Sequence, residues 1–203
     1  MYVSFRNFRA HPGKQQDLIG IATWVCQAMN ERAGTDLVTS VSIGGDPDSV
    51  SVTGTWASLG AYEQARASLG DDQEIASAAR LASELGTSDG DAIGQVLRPA
   101  GERSNYVSFN TAEIQLAHIA DAAAFVMEVA DTASDVTGTQ VGLLRPVTGQ
   151  VNGVLWFSFH DSLQSIQDGQ AKMDQSELVL DLYKRAPDVM VPNVLEAGIR
   201  QYV

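Results

Sequence analysis

A single cysteine, Cys26, is all the thiol chemistry that this sequence of 203 residues holds. One thiol cannot close an intramolecular disulfide, and Cys26 falls inside an apolar helical pattern beside Trp24 and Val25, where a small buried hydrophobe is the expected role. Lysine is nearly as scarce, at Lys14, Lys172 and Lys184, and the formal net charge is −12. A field of that sign repels phosphate backbones and anionic lipid heads, so nucleic acid and membrane surfaces are disfavoured as partners. No apolar run approaches the roughly 18–20 residues that cross a bilayer. Met1-Tyr2-Val3-Ser4-Phe5-Arg6 enters strand-like sequence at once, without the apolar core of a signal peptide, and the expected location is the cytoplasm. Phosphate-binding loops and G-x-S-x-G nucleophile elbows are missing. His11, His118 and His160 share no metal-ligand spacing, so neither a metal nor a cofactor is expected.

What is present is a sequence that nearly repeats itself. Tyr2-Val3-Ser4-Phe5 opens the first half and Tyr106-Val107-Ser108-Phe109 the second. Each tetrapeptide begins a strand of period two. Helical stripes follow, through Leu18, Ile21, Ala22, Val25, Cys26 and Met29 in one half and Ile119, Ala122, Ala123, Val126, Val129 and Ala130 in the other. Gly34 and Gly138 are placed to end those helices. Hairpins are predicted next, from Leu37–Ile43 with Val50–Trp56 and from Thr139–Leu144 with Val154–Phe159. Ser58 and Asp161-Ser162 start further helices, and helical sequence resumes over Glu74–Leu85 and Glu177–Tyr183. A loop is expected over Gly86–Gly90, then closing strands at Ala92–Leu97 and Glu196–Tyr202.

Each half thus reads β-α-β-β-α-β, the ferredoxin-like order. Residues 1–99 form the first repeat, 100–105 a linker and 106–203 the second. A sheet with helices on one face leaves its other face bare and an edge unpaired. The expected fold is therefore α+β, with the two repeats packed sheet to sheet as an intramolecular pseudo-dimeric α/β barrel, either monomeric or homo-oligomeric.

Over the whole chain, once per half, this pattern resembles the dimeric α/β-barrel superfamily, which includes antibiotic-biosynthesis-type monooxygenases and NIPSNAP-like proteins. The echoes are Asn7, the Gly13-Lys14 turn, and Thr55-Trp56-Ala57-Ser58 followed by Ala61-Tyr62. The resemblance implies a small apolar or aromatic ligand. One reading is a cofactor-independent monooxygenase acting on an aromatic or polyketide-like substrate. The other is a non-catalytic ligand-binding or assembly protein of the same fold. Haem-cleaving members add a Trp and a His near the second helix, and Gln64–Leu85 contains neither, so the resemblance does not extend to that chemistry.

The candidate site residues follow from strand alternation and the resemblance together. Asn7 and its counterpart Thr111 are expected on the helix-facing side of their strands, where a polar group needs a hydrogen bond or a cavity. Arg9, in register with Asn7, could reach a carboxylate or phenolate, or could be a solvated strand-end residue. Trp56, Trp156 and Tyr62 could wall a pocket, and ordinary core packing accounts for them as well. His160 ends a strand just before Asp161, and could serve as a general base or as a capping residue. Asn7 and His160 are the catalytic candidates; Arg9, Trp56, Tyr62, Thr111 and Trp156 are the ligand-binding ones.

Overall fold

In the computed structural model, residues 1–192 and 194–203 are described, with Leu69 and Asp71 described by backbone alone. The chain is α+β, its strands antiparallel, and it divides into two compact units. Unit 1 comprises residues 1–95 and 200–203, and unit 2 comprises residues 96–199.

Unit 1 runs β1 (Tyr2–Ala10), α1 (Gln15–Ala33), β2 (Leu37–Ile43), β3 (Ser49–Trp56), α2 (Leu59–Asp71), α3 (Gln73–Leu85) and β4 (Gly86–Arg98), the last to Gln95. The order across its sheet is β4-β1-β3-β2. Leu18 of α1 and Val50 of β3 are fully buried with Ala82 and Leu85 of α3. Burying side chains of this size stabilises the unit by about 1.5–3 kcal/mol each. Gly34 ends α1 at φ 61°, a left-handed turn that a side chain would strain. Asn30 then locks the turn: its side-chain amide donates to Leu37 O and its Oδ1 accepts from Leu37 N–H, both at 2.8 Å. At the chain's end, Arg200 donates to Oγ of Ser40 (3.0 Å) and Ser49 (3.1 Å), tying residues 200–203 to this sheet.

Unit 2 follows with β5 (Tyr106–Glu113), α4 (Ile119–Thr137), β6 (Gly142–Pro146), β7 (Gly153–His160), α5 (Leu163–Asp174), α6 (Glu177–Arg185) and the start of β8 (Glu196–Tyr202). Its sheet runs β5-β7-β6. The turn after α4 repeats the spacing seen in unit 1. Gly138 sits at φ 78°, and Ser134 Oγ accepts from Val141 N–H at 2.9 Å. The core gathers Phe125, Val126 and Ala130 of α4 against Leu143, Val154 and Trp156.

Two expected elements are corrected. Gly86–Gly90 is not a loop but the start of β4, because β1 still offers an unpaired edge over Phe8–Ala10. The register slips between Arg6 and Phe8, a β-bulge that absorbs the extra residue. In unit 2 the strand starts at Gly142, not Thr139; Thr139 N–H is taken by Thr137 Oγ1 in the turn.

A third correction concerns which face is which. In β1 the even residues Tyr2, Phe8 and Ala10 pack with the helices' cores, and Ser4 meets Trp56 there. Alternation therefore sends Val3, Phe5, Asn7 and Arg9 to the opposite face. In unit 2, Ala112, Val154 and Trp156 pack with α4, so Thr111 likewise points away from the helices. Asn7 and Thr111 do not sit under the helix layer.

Candidate functional site

The helix-facing surface of unit 1 gathers a cluster of aromatic and charged groups where β1, β3 and β4 meet α2. Trp56 ends β3 in register with Tyr2, and its indole N–H donates to Ser4 Oγ at 2.8 Å, both residues buried. Gly54 allows this, since a Cβ there would lie 2.8 Å from the indole ring. Tyr62 follows on the second turn of α2 and meets Trp56 edge to face, centroids 5.4 Å apart.

The Tyr62 hydroxyl donates to Asp91 Oδ2 at 2.7 Å. Arg6 forks onto the same carboxylate, Nε to Oδ1 at 2.5 Å and Nη2 to Oδ2 at 2.9 Å. Arg6 and Asp91 are register partners on β1 and β4, immediately beside the bulge. Arg66, one turn beyond Tyr62, lies 5.8 Å above its ring and 3.7 Å from Asp91 Oδ2. Burial alone would raise the Asp91 carboxyl, but the hydrogen bonds from Arg6 and Tyr62 and the charges of both arginines hold it below the usual carboxylate range. Burial, reinforced by the Asp91 charge, raises the Tyr62 phenol, which stays protonated. Two guanidinium groups thus face one carboxylate. The surplus charge rests on Arg66, whose side chain is 59% exposed against 18% for Asp91.

The corresponding place in unit 2 is polar. His160 ends β7 in register with Tyr106, as Trp56 ends β3 in register with Tyr2. Its Nε2 lies 2.8 Å from Ser158 Oγ and 3.1 Å from Ser108 Oγ, with the two hydroxyls 3.0 Å apart. Ser108 and Ser158 are register partners, in the places that Ser4 and Gly54 hold in unit 1. His160 is 9% exposed. Burial lowers its pKa and outweighs the neighbouring Asp161 charge, which raises it, so the imidazole is neutral at pH 7.

The remaining predicted residues fall elsewhere. Asn7 accepts from the Ser51 hydroxyl at 2.7 Å on the face away from the helices. Arg9 reaches Asp46 in the β2–β3 turn, Nε to Oδ2 at 3.1 Å, with both side chains exposed. Thr111 pairs with Leu155 along β5–β7. Trp156 is a core anchor whose indole N–H donates to Val126 O at 2.9 Å. Trp56 and Tyr62 are therefore the ligand-binding candidates that the fold brings together. Arg6, Asp91 and Arg66 carry no signal in the sequence that marks them as part of this cluster. Arg6 reads as the polar side of an alternating strand, and Asp91 lies 85 residues away beyond an expected loop. An open groove of about 480 Å³ lies between α1 and α3, lined by Gln16, Gly20, Ile21, Leu81 and Leu85, on other elements than these clusters. Among the described residues, no group of three or more His, Cys, Asp or Glu side chains could hold a metal ion, and no helix is long and apolar enough to cross a membrane.

No family model and no curated protein matches the chain. Solved structures do. A protein of Fusobacterium nucleatum named "putative monooxygenase" is similar at TM-score 0.72 and 10% identity, covering 99% of this chain and 91% of that one. An anthrone oxidase-like protein is similar at TM-score 0.59 and 16% identity, covering 100% and 91%. The chlorite dismutase of Candidatus Nitrospira defluvii is similar at TM-score 0.56 and 12% identity, covering 98% and 90%. At such identities the likeness is one of fold. The chain has the fold of the dimeric α/β-barrel superfamily.

Proposed function

We propose that this protein binds a flat, weakly acidic aromatic or polyketide-like molecule against Trp56 and Tyr62 in unit 1, and oxidises it with molecular oxygen as a cofactor-independent monooxygenase. The observation that carries the reading is the surplus cation Arg66 beside an aromatic edge pair, in a chain of net charge −12. An arginine left half-free in a polar cluster suits an anionic oxygen, and aromatic walls suit a planar body. The likeness of fold to an anthrone oxidase-like protein supports the same class of ligand. The common element order and the matched turns at Asn30–Gly34–Leu37 and Ser134–Gly138–Val141 support a tandem duplication, with repeats at 1–99 and 106–203 around a linker at 100–105.

Arg66 and Arg6 would stabilise the enolate or phenolate form of the bound molecule. That electron-rich anion passes an electron to O2 and combines with the reduced oxygen. For anthrone the balance is one O2 consumed, one oxygen atom retained as the quinone carbonyl, and the other released as water. Asp91 orients Tyr62 and Arg6 but, held below the usual range, is a weak base. That weakness favours the second reading, a protein that binds such a ligand without turning it over.

Oxygen uptake with anthrone, in buffer stripped of metals, separates the two. The monooxygenase reading expects one O2 per anthrone and a KM raised about tenfold by Arg66→Ala, the loss of one charged hydrogen bond. Binding that persists without uptake assigns the second reading, and absence of both removes the site.

A further inference from the structure

We infer that unit 2 carries a ligand site of its own, in which His160 takes the proton of a phenolic or enolic hydroxyl through the hydroxyls of Ser108 and Ser158. The site is separate from the one proposed in unit 1 and does not depend on it.

Equivalent positions of the two units carry different side chains. In unit 1 the strand-end residue opposite Tyr2 is Trp56, which covers Gly54, donates to Ser4 and closes against Tyr62. Ser108 keeps the place of Ser4, and the other three members of that set are replaced in unit 2 by something smaller or more polar. His160 stands for Trp56, Ser158 for Gly54, and Ile166, six residues beyond His160 as Tyr62 is beyond Trp56, for the second ring. Where unit 1 has an aromatic edge pair, unit 2 has an imidazole with two hydroxyls at its Nε2.

The three polar groups are close enough to pass a proton. Ser158 Oγ is 2.8 Å from Nε2 and Ser108 Oγ is 3.0 Å from Ser158 Oγ, while Ser108 is also within 3.1 Å of Nε2. A neutral imidazole with Nε2 as acceptor leaves Ser108 as the outer hydroxyl, able to accept from a ligand. Among the described residues no carboxylate bonds the ring, and the neighbouring Asp161 is engaged by the Ser104 hydroxyl. Asp161 is also the charged group that acts on His160, and it favours the protonated form. The Tyr106 phenol lies on the strand opposite. Burial leaves the imidazole neutral, with its Nε2 lone pair free to accept, and also weakens it as a base; a phenolate charge formed beside the ring offsets that cost.

The step is a proton transfer. The ligand O–H bond breaks, with its electron pair left on oxygen as phenolate. Ser108 and Ser158 each gain one proton and give up another, and a bond forms between Nε2 and the last proton. The product is a phenolate–imidazolium pair, and neither oxidant nor reductant is consumed.

The test uses the full chain and 2-hydroxyanthraquinone, whose phenol absorbs at longer wavelength once ionised. With both sites present, titration gives two equivalents bound per chain and a bound absorbance shifted towards phenolate. His160→Gln, which keeps a hydrogen-bonding side chain but cannot take the proton, should remove one equivalent and its share of the shift. Ser108→Ala should weaken that same equivalent several-fold. Arg66→Ala should affect only the other, so failure of the unit 1 reading leaves this one standing. In wild-type protein with 13C-labelled histidine, one imidazole of three should move to its protonated shift when the probe binds, a measurement that does not depend on a variant folding. A single equivalent untouched by His160→Gln, or three histidine signals that stay put on saturation, would overturn the proposal.

Discussion

Replacing Tyr62 by Phe removes one hydroxyl and leaves everything else about the ring in place, including its edge contact with Trp56 at 5.4 Å. The lost bond is the 2.7 Å donation to Asp91, a carboxylate whose side chain is 18% exposed. Hydrogen bonds to a charged group contribute about 1.5–3 kcal/mol, and partial solvent access places this one near 1.5. Asp91→Ala removes that bond together with the Arg6 fork. The Arg6 side chain is 43% exposed, so solvent screening cuts the pair to about 1 kcal/mol, and the whole substitution to about 2.5. The double variant should then cost little more than Asp91→Ala alone, giving a coupling energy of about 1–1.5 kcal/mol between the two positions. Urea denaturation of the four proteins at pH 7 measures it. The pH dependence is fixed in sign. The Asp91 pKa is lower folded than unfolded, so its contribution is complete above the ordinary aspartate value of about 4 and is lost as pH falls through the folded value. The gap between wild type and Asp91→Ala should accordingly close in acid. Additive losses, or a gap that stays constant to the lowest pH at which the protein folds, would refute the network as described.

His160 gives a second pH signature. Its pKa is lower folded than unfolded, so between the folded value and about 6.5 stability rises with pH, and His160→Gln should flatten that part of a Tm–pH profile. Trp56→Phe leaves the Ser4 hydroxyl without its 2.8 Å partner and opens space over Gly54, and should cost about 2–3 kcal/mol by chemical denaturation. Gly20→Ala should stabilise by about 0.5–1 kcal/mol, because a Cβ at this position inside α1 meets nothing within 4 Å. Gly138→Ala, at φ 78°, should instead destabilise by about 1 kcal/mol, and a pair of thermal melts compares the two. Cys26 is buried, and burial raises its thiol above the usual value despite the contact with Thr39, so the folded protein should resist alkylation that the unfolded protein undergoes.

The element order could be read from the sequence because each element carries a local signal. Gly34 and Gly138 end helices through their own backbone geometry, and the stripes in α1 and α4 need only period counting. Strand parity was harder. Val3 and Phe5 look like an inward pair by hydropathy, yet both faces of β1 carry apolar residues, and which face meets the helices is decided by Ser4–Trp56 and Phe8–Val50 contacts made over some forty residues or more. Hydropathy alone therefore puts Asn7 on the wrong face. Trp56, Tyr62 and His160 were visible because aromatic and imidazole groups are few and stood at strand–helix junctions. The charges that give the unit 1 cluster its character could not be read, since the Arg6–Asp91 pairing is set by a β-bulge that has no sequence mark beyond Gly90.

The central claim is that an aromatic acid binds on the helix-facing side of the sheet, at Trp56, Tyr62 and Arg66. A crystal structure with anthraquinone-2-carboxylate, which cannot be oxidised further, tests it most directly. The account predicts the ring system against Trp56 and Tyr62 with its carboxylate on Arg66. A ligand seated on the opposite face, beside Asn7 and Ser51, would contradict it.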